Sequence, residues 1–171
     1  MTERRYYYSD DVQGQAQALS CAPAEAGAYA VELDATLFHP QGGGQPSDVG
    51  TLGGVAVLRV QQQGDTVLHF TAAPLPLGPV TMQIDEAQRR LHARWHSGGH
   101  LIGWLGETRG WQPVKAHHWP GEGRITFTPG PDAQTVEADF LQAELARLIA
   151  ADLPRRQQAV EGMRQRSEEH T

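Results

Sequence analysis

The chain has little that is typical of an extracellular or membrane protein. Cys21 is the one cysteine among 171 residues, which excludes an internal disulfide and favours a reducing compartment. No stretch approaches the roughly 18 consecutive apolar residues that a membrane-spanning helix needs. The opening residues MTERRYYYSDD also lack the apolar core of a signal peptide. We therefore expect a soluble, cytoplasmic protein that does not bind membranes.

Lysine is almost absent, and charge is distributed unevenly. Lys115 is the one lysine among 14 basic residues, and the formal net charge is −6. Residues 89–124 nevertheless form a basic stretch, with six basic and two acidic residues. Such a stretch can contact phosphate groups or can be a solvated helix face, and charge alone leaves both readings open.

The sequence pattern changes near residue 83. Before it, short segments rich in β-branched and aromatic residues are separated by Gly, Pro and Asp, which predicts a compact barrel or sandwich. After it, apolar residues recur at helical spacing and predict helices over 86–105 and 133–152, with Asp85 as the first N-cap and a strand at 124–128.

We thus predict an α+β protein. An N-terminal β-barrel-like domain is expected over 1–83, and an α+β domain over 84–165 is expected to pack its helices on an antiparallel sheet.

The segment His96-Ser-Gly-Gly-His100 offers two ligands for a metal ion. Residues four apart share one face of a helix, so both imidazoles can reach a single ion. No glutamate stands between the histidines, so the general base of the zinc-protease motif is missing. The alternative is a pair of structural histidines with hydrogen-bonded rings. Because Gly98 and Gly99 weaken the helix, we expect a strand or a substrate to approach there.

A glycine-rich segment, TLFHPQGGGQPSDVG, spans Thr36 to Gly50. Its three consecutive glycines let backbone amides surround an anion or a carbonyl group. It lacks Gly-Lys-Ser/Thr and a following helix, so it is neither a nucleoside-triphosphate phosphate loop nor a dinucleotide-binding fingerprint. A wide β-turn is the alternative reading.

Taken together and in this order, TLFHPQGGGQPSDVG and IDEAQRRLHARWHSGGHL resemble the alanyl-tRNA editing family. This family comprises freestanding editing proteins and the matching domain of alanyl-tRNA synthetase; the counterpart in threonyl-tRNA synthetase is more distant. The resemblance covers about residues 1–150. The family usually has Tyr where His39 stands, and Thr-Ala-Thr where Ser97, Gly98 and Gly99 stand.

The resemblance implies hydrolysis of mischarged alanine tRNA, carrying serine or glycine, at a zinc site. His96 and His100 match two of the metal ligands. The family's other two ligands come from a distal Cys-x-x-x-His, and no cysteine follows His100 here. Residues 166–171 read like a translated sequencing adapter, so we expect a truncated reading frame and a non-native tail. The alternative is a natural short form with a dead or remodelled site.

The resemblance also implies roles for residues around the metal. Gln45 and Thr36 are the candidate catalytic residues, and Thr36 would sense a small hydroxyl-bearing side chain. The remaining candidates bind substrate: Gly42, Gly43 and Gly44 cradle the aminoacyl group, and Arg89, Arg90 and Arg94 contact tRNA phosphates.

A third ligand and the function class stay open at this point. His117 or His118 could substitute for a missing ligand, although adjacent residues of an extended chain point to opposite sides, so at most one faces the site. With two imidazoles alone, the chain is expected to bind zinc weakly. The alternative functions are a non-catalytic tRNA-binding module and a metal-dependent hydrolase of another ester or amide.

Overall fold

A computed structural model describes residues 1–154. The end of the predicted domain over 84–165 and the predicted tail at 166–171 lie outside the described residues. Strands and helices are both present, and the α+β class is confirmed. Residues 1–135 form one compact unit, and the described residues from Val136 onward belong to a second. The predicted boundary at residue 83 stays a prediction.

The first 84 residues form strands of two to eleven residues, which are separated by the turn residues that the sequence displays. In chain order they are β1 (Glu3–Arg4), β2 (Gln13–Pro23), β3 (Tyr29–Leu33), β4 (Ala35–Thr36), β5 (Gly50–Leu52), β6 (Val55–Gln63), β7 (Thr66–Thr71) and β8 (Gly78–Ile84). Six of them close into an antiparallel barrel in the order β2-β3-β7-β6-β5-β8. The short strands β1 and β4 pair in parallel.

Alternation along the strands fills the barrel with apolar side chains. Because successive side chains of a strand point to opposite faces, every second residue turns inward. Val31 and Leu33 of β3, for example, are fully buried on the inner face. The buried cluster consists of Ala16, Ala18, Val31, Leu33, Leu37, Phe38, Leu52, Val57, Val60, Val67, Leu75, Val80, Met82 and Ile84.

A long helix follows the barrel directly. The side chain of Asp85 accepts a hydrogen bond from the backbone N–H of Gln88 at 3.0 Å, so the predicted N-cap is confirmed. Helix α1 runs over Glu86–Glu107, two residues beyond its predicted end. It packs on an antiparallel hairpin of β9 (Trp111–His117) and β10 (Arg124–Pro129). The sequence indicated β10 but not β9.

The second helix, α2, spans Ala138–Ala150. Its predicted start at 133 is wrong, because Glu137 is still extended (φ −86°, ψ 151°) and serves as the N-cap. Within residues 1–154, neither helix has the length and hydrophobicity that crossing a membrane requires.

Candidate functional site

A tight glycine turn meets α1 at the middle of the helix. The backbones of Gly42 and Gln45 exchange two hydrogen bonds, of 3.2 and 3.0 Å. Between them, Gly43 and Gly44 adopt left-handed φ values of 57° and 75°, which side chains rarely tolerate. The turn aims the Gln45 side chain at the helix, and its Oε1 lies 2.7 Å from Nδ1 of His96. The two motifs of the sequence therefore meet in space.

Three histidines converge beside this turn. One ring nitrogen from each of His96, His100 and His118 lies within 4.8 Å of the other two. Nε2 of His96 and Nε2 of His100 are 2.9 Å apart, as expected for residues one helical turn apart. The ring of His118, which directly follows β9, stacks on His96 with 4.5 Å between ring centroids. One of the two alternative histidines of the sequence thus lies in the site.

Burial favours the neutral form of His96 and His118. Burial, together with the smaller effect of charge on His118, His100 and His39, lowers the pKa of His96 to about 4. Burial likewise lowers the pKa of His118. The Gln45 oxygen can only accept a hydrogen bond, so Nδ1 of His96 carries the proton and Nε2 presents its lone pair. Metal-binding histidines commonly donate their second ring N–H to a carbonyl oxygen, which fixes the orientation of the ring. Gln45 has this relation to His96.

The donor set of the cluster fits zinc. Zinc binds neutral imidazole nitrogen, and catalytic zinc sites commonly have three protein ligands with one further position open. Three imidazoles that each offer one nitrogen within this span meet that requirement in number and in ligand type.

Arg89 has a structural role that the sequence did not reveal. Its guanidinium Nε donates to both carboxylate oxygens of Asp48 at 3.2 and 3.3 Å, and other nitrogens of the group donate to the carbonyls of Leu37 and Asp11. Asp48 is buried and also accepts from the backbone N–H of His39. Arg89 thereby fastens the start of α1 to the glycine-rich segment. The phosphate contact predicted for Arg89 stays a prediction, and the hydrogen bonds described here are all made within the protein.

The other two arginines remain near the surface. Arg90 pairs with Glu86 one turn earlier on α1, and both side chains are exposed. Arg94 is also exposed, and it lines a cleft of about 470 Å³ beside the cluster together with apolar residues such as Trp95 and Phe127.

Thr36 lies inside the protein instead of at the surface of the site. Its side chain is fully buried; Oγ1 accepts from the backbone N–H of Phe38 and lies 2.7 Å from Nε2 of His69. Nδ1 of His69 is 3.3 Å from the carbonyl of Val31, so that nitrogen donates and Nε2 accepts from Thr36. A contact between Thr36 and an aminoacyl group stays a prediction.

Two residues of the site have little signal in the sequence pattern. Asp48 was read only as part of the glycine-rich segment, and the His-His pair before a strand was the one signal for His118. Which member of that pair faces the helix depends on the β9–β10 pairing, which the sequence did not display.

Known proteins of two kinds are similar in sequence to this chain. Alanyl-tRNA editing protein Aarsd1 of Danio rerio is 41% identical over 102 residues, which cover 53% of this chain and 25% of that protein. Aarsd1 of Mus musculus is 40% identical over 97 residues, covering 49% and 24%. Alanine–tRNA ligase of Methanocella arvoryzae is 33% identical over 132 residues, covering 73% and 14%. The chain thus spans about a quarter or less of the length of these relatives. No protein-family profile matches it.

Proposed function

Because this chain is a homologue of the alanyl-tRNA editing family, we propose that it hydrolyses the aminoacyl ester of mischarged alanine tRNA. The substrate would be tRNA that carries serine or glycine in place of alanine, and the setting would be the cytoplasm. One observation carries the proposal: the hydrogen bond between Gln45 and His96 joins the glycine turn and the histidine helix, the two motifs of the resemblance, in one site.

His96 and His100 are the proposed zinc ligands. A zinc ion bound there would supply Lewis acidity, which can lower the pKa of water to about 7 without a protein base. This suits a helix that has no glutamate between its histidines. Gln45 has the proposed role of holding the His96 ring in the tautomer whose Nε2 lone pair is available.

The glycine turn is the proposed cradle for the aminoacyl group. A Cβ built on Gly43 would lie 3.8 Å from Cε1 of His96, so this part of the turn faces the ligand ring with room for one further atom. Backbone groups of Gly42 and Gly44 flank that contact on either side. Thr36 has a proposed supporting role. Its hydroxyl accepts a hydrogen bond from the backbone N–H of Phe38 and so holds the start of the segment that leads to the turn. Its predicted role in sensing a hydroxyl group remains to be tested.

Arg90 and Arg94 are the proposed phosphate contacts at the acceptor end of the tRNA. Both are exposed on the helix that carries His96 and His100. Arg94 makes no hydrogen bond or ion pair with the other residues of the described part, so its charge is available to a ligand.

A deacylation assay tests the function. The full chain, supplied with zinc, is incubated with seryl-, glycyl- and alanyl-tRNA and with a free serine ester. We expect release of serine and glycine from tRNA, slower release of alanine, and little cleavage of the free ester. His96→Ala should reduce the rate to background, whereas Ser97→Ala, an exposed neighbour on the same helix, should leave it unchanged.

Each opposing result overturns a defined part of the proposal. Binding of tRNA without release of the amino acid would indicate a non-catalytic binding module. Equally fast cleavage of the free ester would indicate a hydrolase of another substrate class. Full activity of His96→Ala would refute the role of the histidine cluster.

A further inference from the structure

The imidazole of His118 packs directly against the rings of His96 and His100. Its side chain is buried, with 3% of the residue exposed. The ring centroid lies 4.5 Å from that of His96 and 5.6 Å from that of His100. A ligand nitrogen of each of the three residues falls within the same 4.8 Å span.

We propose that His118 is a third ligand for the metal ion bound by His96 and His100, and that Gly99 is the residue that admits it. The inference rests on the metal site of the proposed function but not on its tRNA chemistry. The ligand class is a divalent transition-metal ion of the zinc type, bound by three imidazole nitrogens with a further coordination position open.

The third glycine of the turn places the His118 backbone. The N–H of His118 donates to the carbonyl of Gly44 at 2.8 Å. A Cβ on Gly44 would lie 2.7 Å from the carbonyl oxygen of Ala116, a distance that real Cβ atoms essentially never show. The end of β9 can therefore approach the turn only because residue 44 is glycine.

Gly99 makes room for the His118 ring on the helix side. A Cβ on Gly99 would lie 2.3 Å from both Cε1 and Nδ1 of His118, so the ring would have to move. A Cβ on Gly98 would meet nothing within 4 Å. A glycine inside a helix costs about 1 kcal/mol relative to alanine. At position 99, the approach of His118 gives a physical reason for accepting that cost.

His117 points elsewhere, as the alternation of an extended chain requires. Its ring stacks on Trp119 at 5.5 Å between centroids, and its Nε2 lies 3.6 Å from a carboxylate oxygen of Glu122. His117 is therefore a matched control for His118, and Gly98 is a matched control for Gly99.

A third imidazole changes the expectation of weak binding that followed from two ligands. The full chain should bind one zinc ion tightly, since three protein ligands suffice for a catalytic zinc site.

Metal titrations without tRNA test the inference. Metal-stripped full-length protein is titrated with Zn²⁺ by calorimetry, and with Co²⁺ by visible absorption. We expect one equivalent for the wild type. His118→Ala should weaken Zn²⁺ binding more than about 100-fold, beyond the 10–100-fold typical of losing an outer-shell partner. His117→Ala should bind as the wild type does. Gly99→Ala should weaken binding by at least about 10-fold, and Gly98→Ala should leave it unchanged.

The outcome is decisive even if one variant fails to fold. Should circular dichroism show that His118→Ala is unfolded, His118→Gln keeps a polar side chain and removes the imidazole. Equal Zn²⁺ affinity of the wild type and a folded His118 variant overturns the inference, and so do equal affinities of Gly99→Ala and Gly98→Ala. If His118-dependent binding is found but no tRNA is deacylated, the metal site stands and the proposed function fails.

Discussion

The barrel interior and the histidine cluster show two ways in which a protein buries imidazole. His69 is fully buried in the barrel wall, and both of its ring nitrogens have partners, the hydroxyl of Thr36 and the carbonyl of Val31. In the cluster, Gln45 holds Nδ1 of His96, and one nitrogen of each of the three rings lies within 4.8 Å of the other two. A histidine with two internal hydrogen bonds is structural, whereas converging lone pairs indicate a ligand site.

The two regions also differ in what surrounds their polar groups. The barrel encloses His69 with side chains such as Phe38, whose ring meets it edge-on at 5.5 Å between centroids. The cluster borders an open cleft and a bare glycine turn. The barrel therefore supports the glycine-rich segment, and the proposed chemistry is confined to the face where α1 and β9 meet that segment.

The largest expected difference between the barrel and the histidine cluster concerns stability. His69 of the barrel should make the free energy of unfolding depend on pH. Burial lowers the pKa of His69 from 6.5 to about 4. In the unfolded chain this residue takes up a proton below about pH 6.5, whereas in the folded chain it does so only near pH 4. Stability is therefore lost as pH falls through this window. The loss reaches about 3 kcal/mol at the lower end.

Urea unfolding at pH 7.5, 6, 5 and 4 measures this loss, with His69→Asn as the comparison. The variant should be less stable at pH 7.5 but should lose less stability on acidification, because it lacks the buried imidazole of His69. Parallel pH profiles for the two proteins would show that the barrel does not hold His69 neutral.

A smaller effect should come from the exposed arginines of α1. Loss of one phosphate contact reduces the slope of log K against log salt by about 1. Arg94→Ala and Arg90→Ala should therefore each weaken tRNA binding modestly and leave single-turnover deacylation nearly unchanged. Binding measured at several salt concentrations checks this.

Arg59→Ala is the control for those variants. Arg59 carries the same charge on the barrel, where its guanidinium lies 4.1 Å above the ring of Phe70. An equal loss of tRNA affinity in Arg59→Ala would mean that binding depends on net charge and not on the face of α1.

Much of this arrangement was predictable from the sequence because its signals are local. The Asp85 cap depends on residues three apart, and alternation along a strand such as β3 shows directly which side chains turn inward. The proximity of the glycine turn to His96 was expected from the resemblance, and the structure confirms it.

What could not be predicted depends on pairing between distant segments. Strand β9 contains Pro113 and a run of exposed residues, so no apolar alternation marks it. Its register, which pairs His117 with Arg124 and shifts between Thr126 and Phe127, determines that His118 and not His117 meets the helix. The partners of Arg89 were hidden for the same reason, since Asp48 lies 41 positions away in the chain.

The most direct test of the account is the zinc dependence of deacylation by the full chain. Protein stripped of metal is given increasing equivalents of Zn²⁺. At each step, the release of serine from alanine tRNA that carries serine is measured. We predict no release without metal and a rate that rises linearly until one equivalent is bound. Full activity of the metal-free protein, or no activity at any zinc concentration in a protein that binds zinc, would contradict the account.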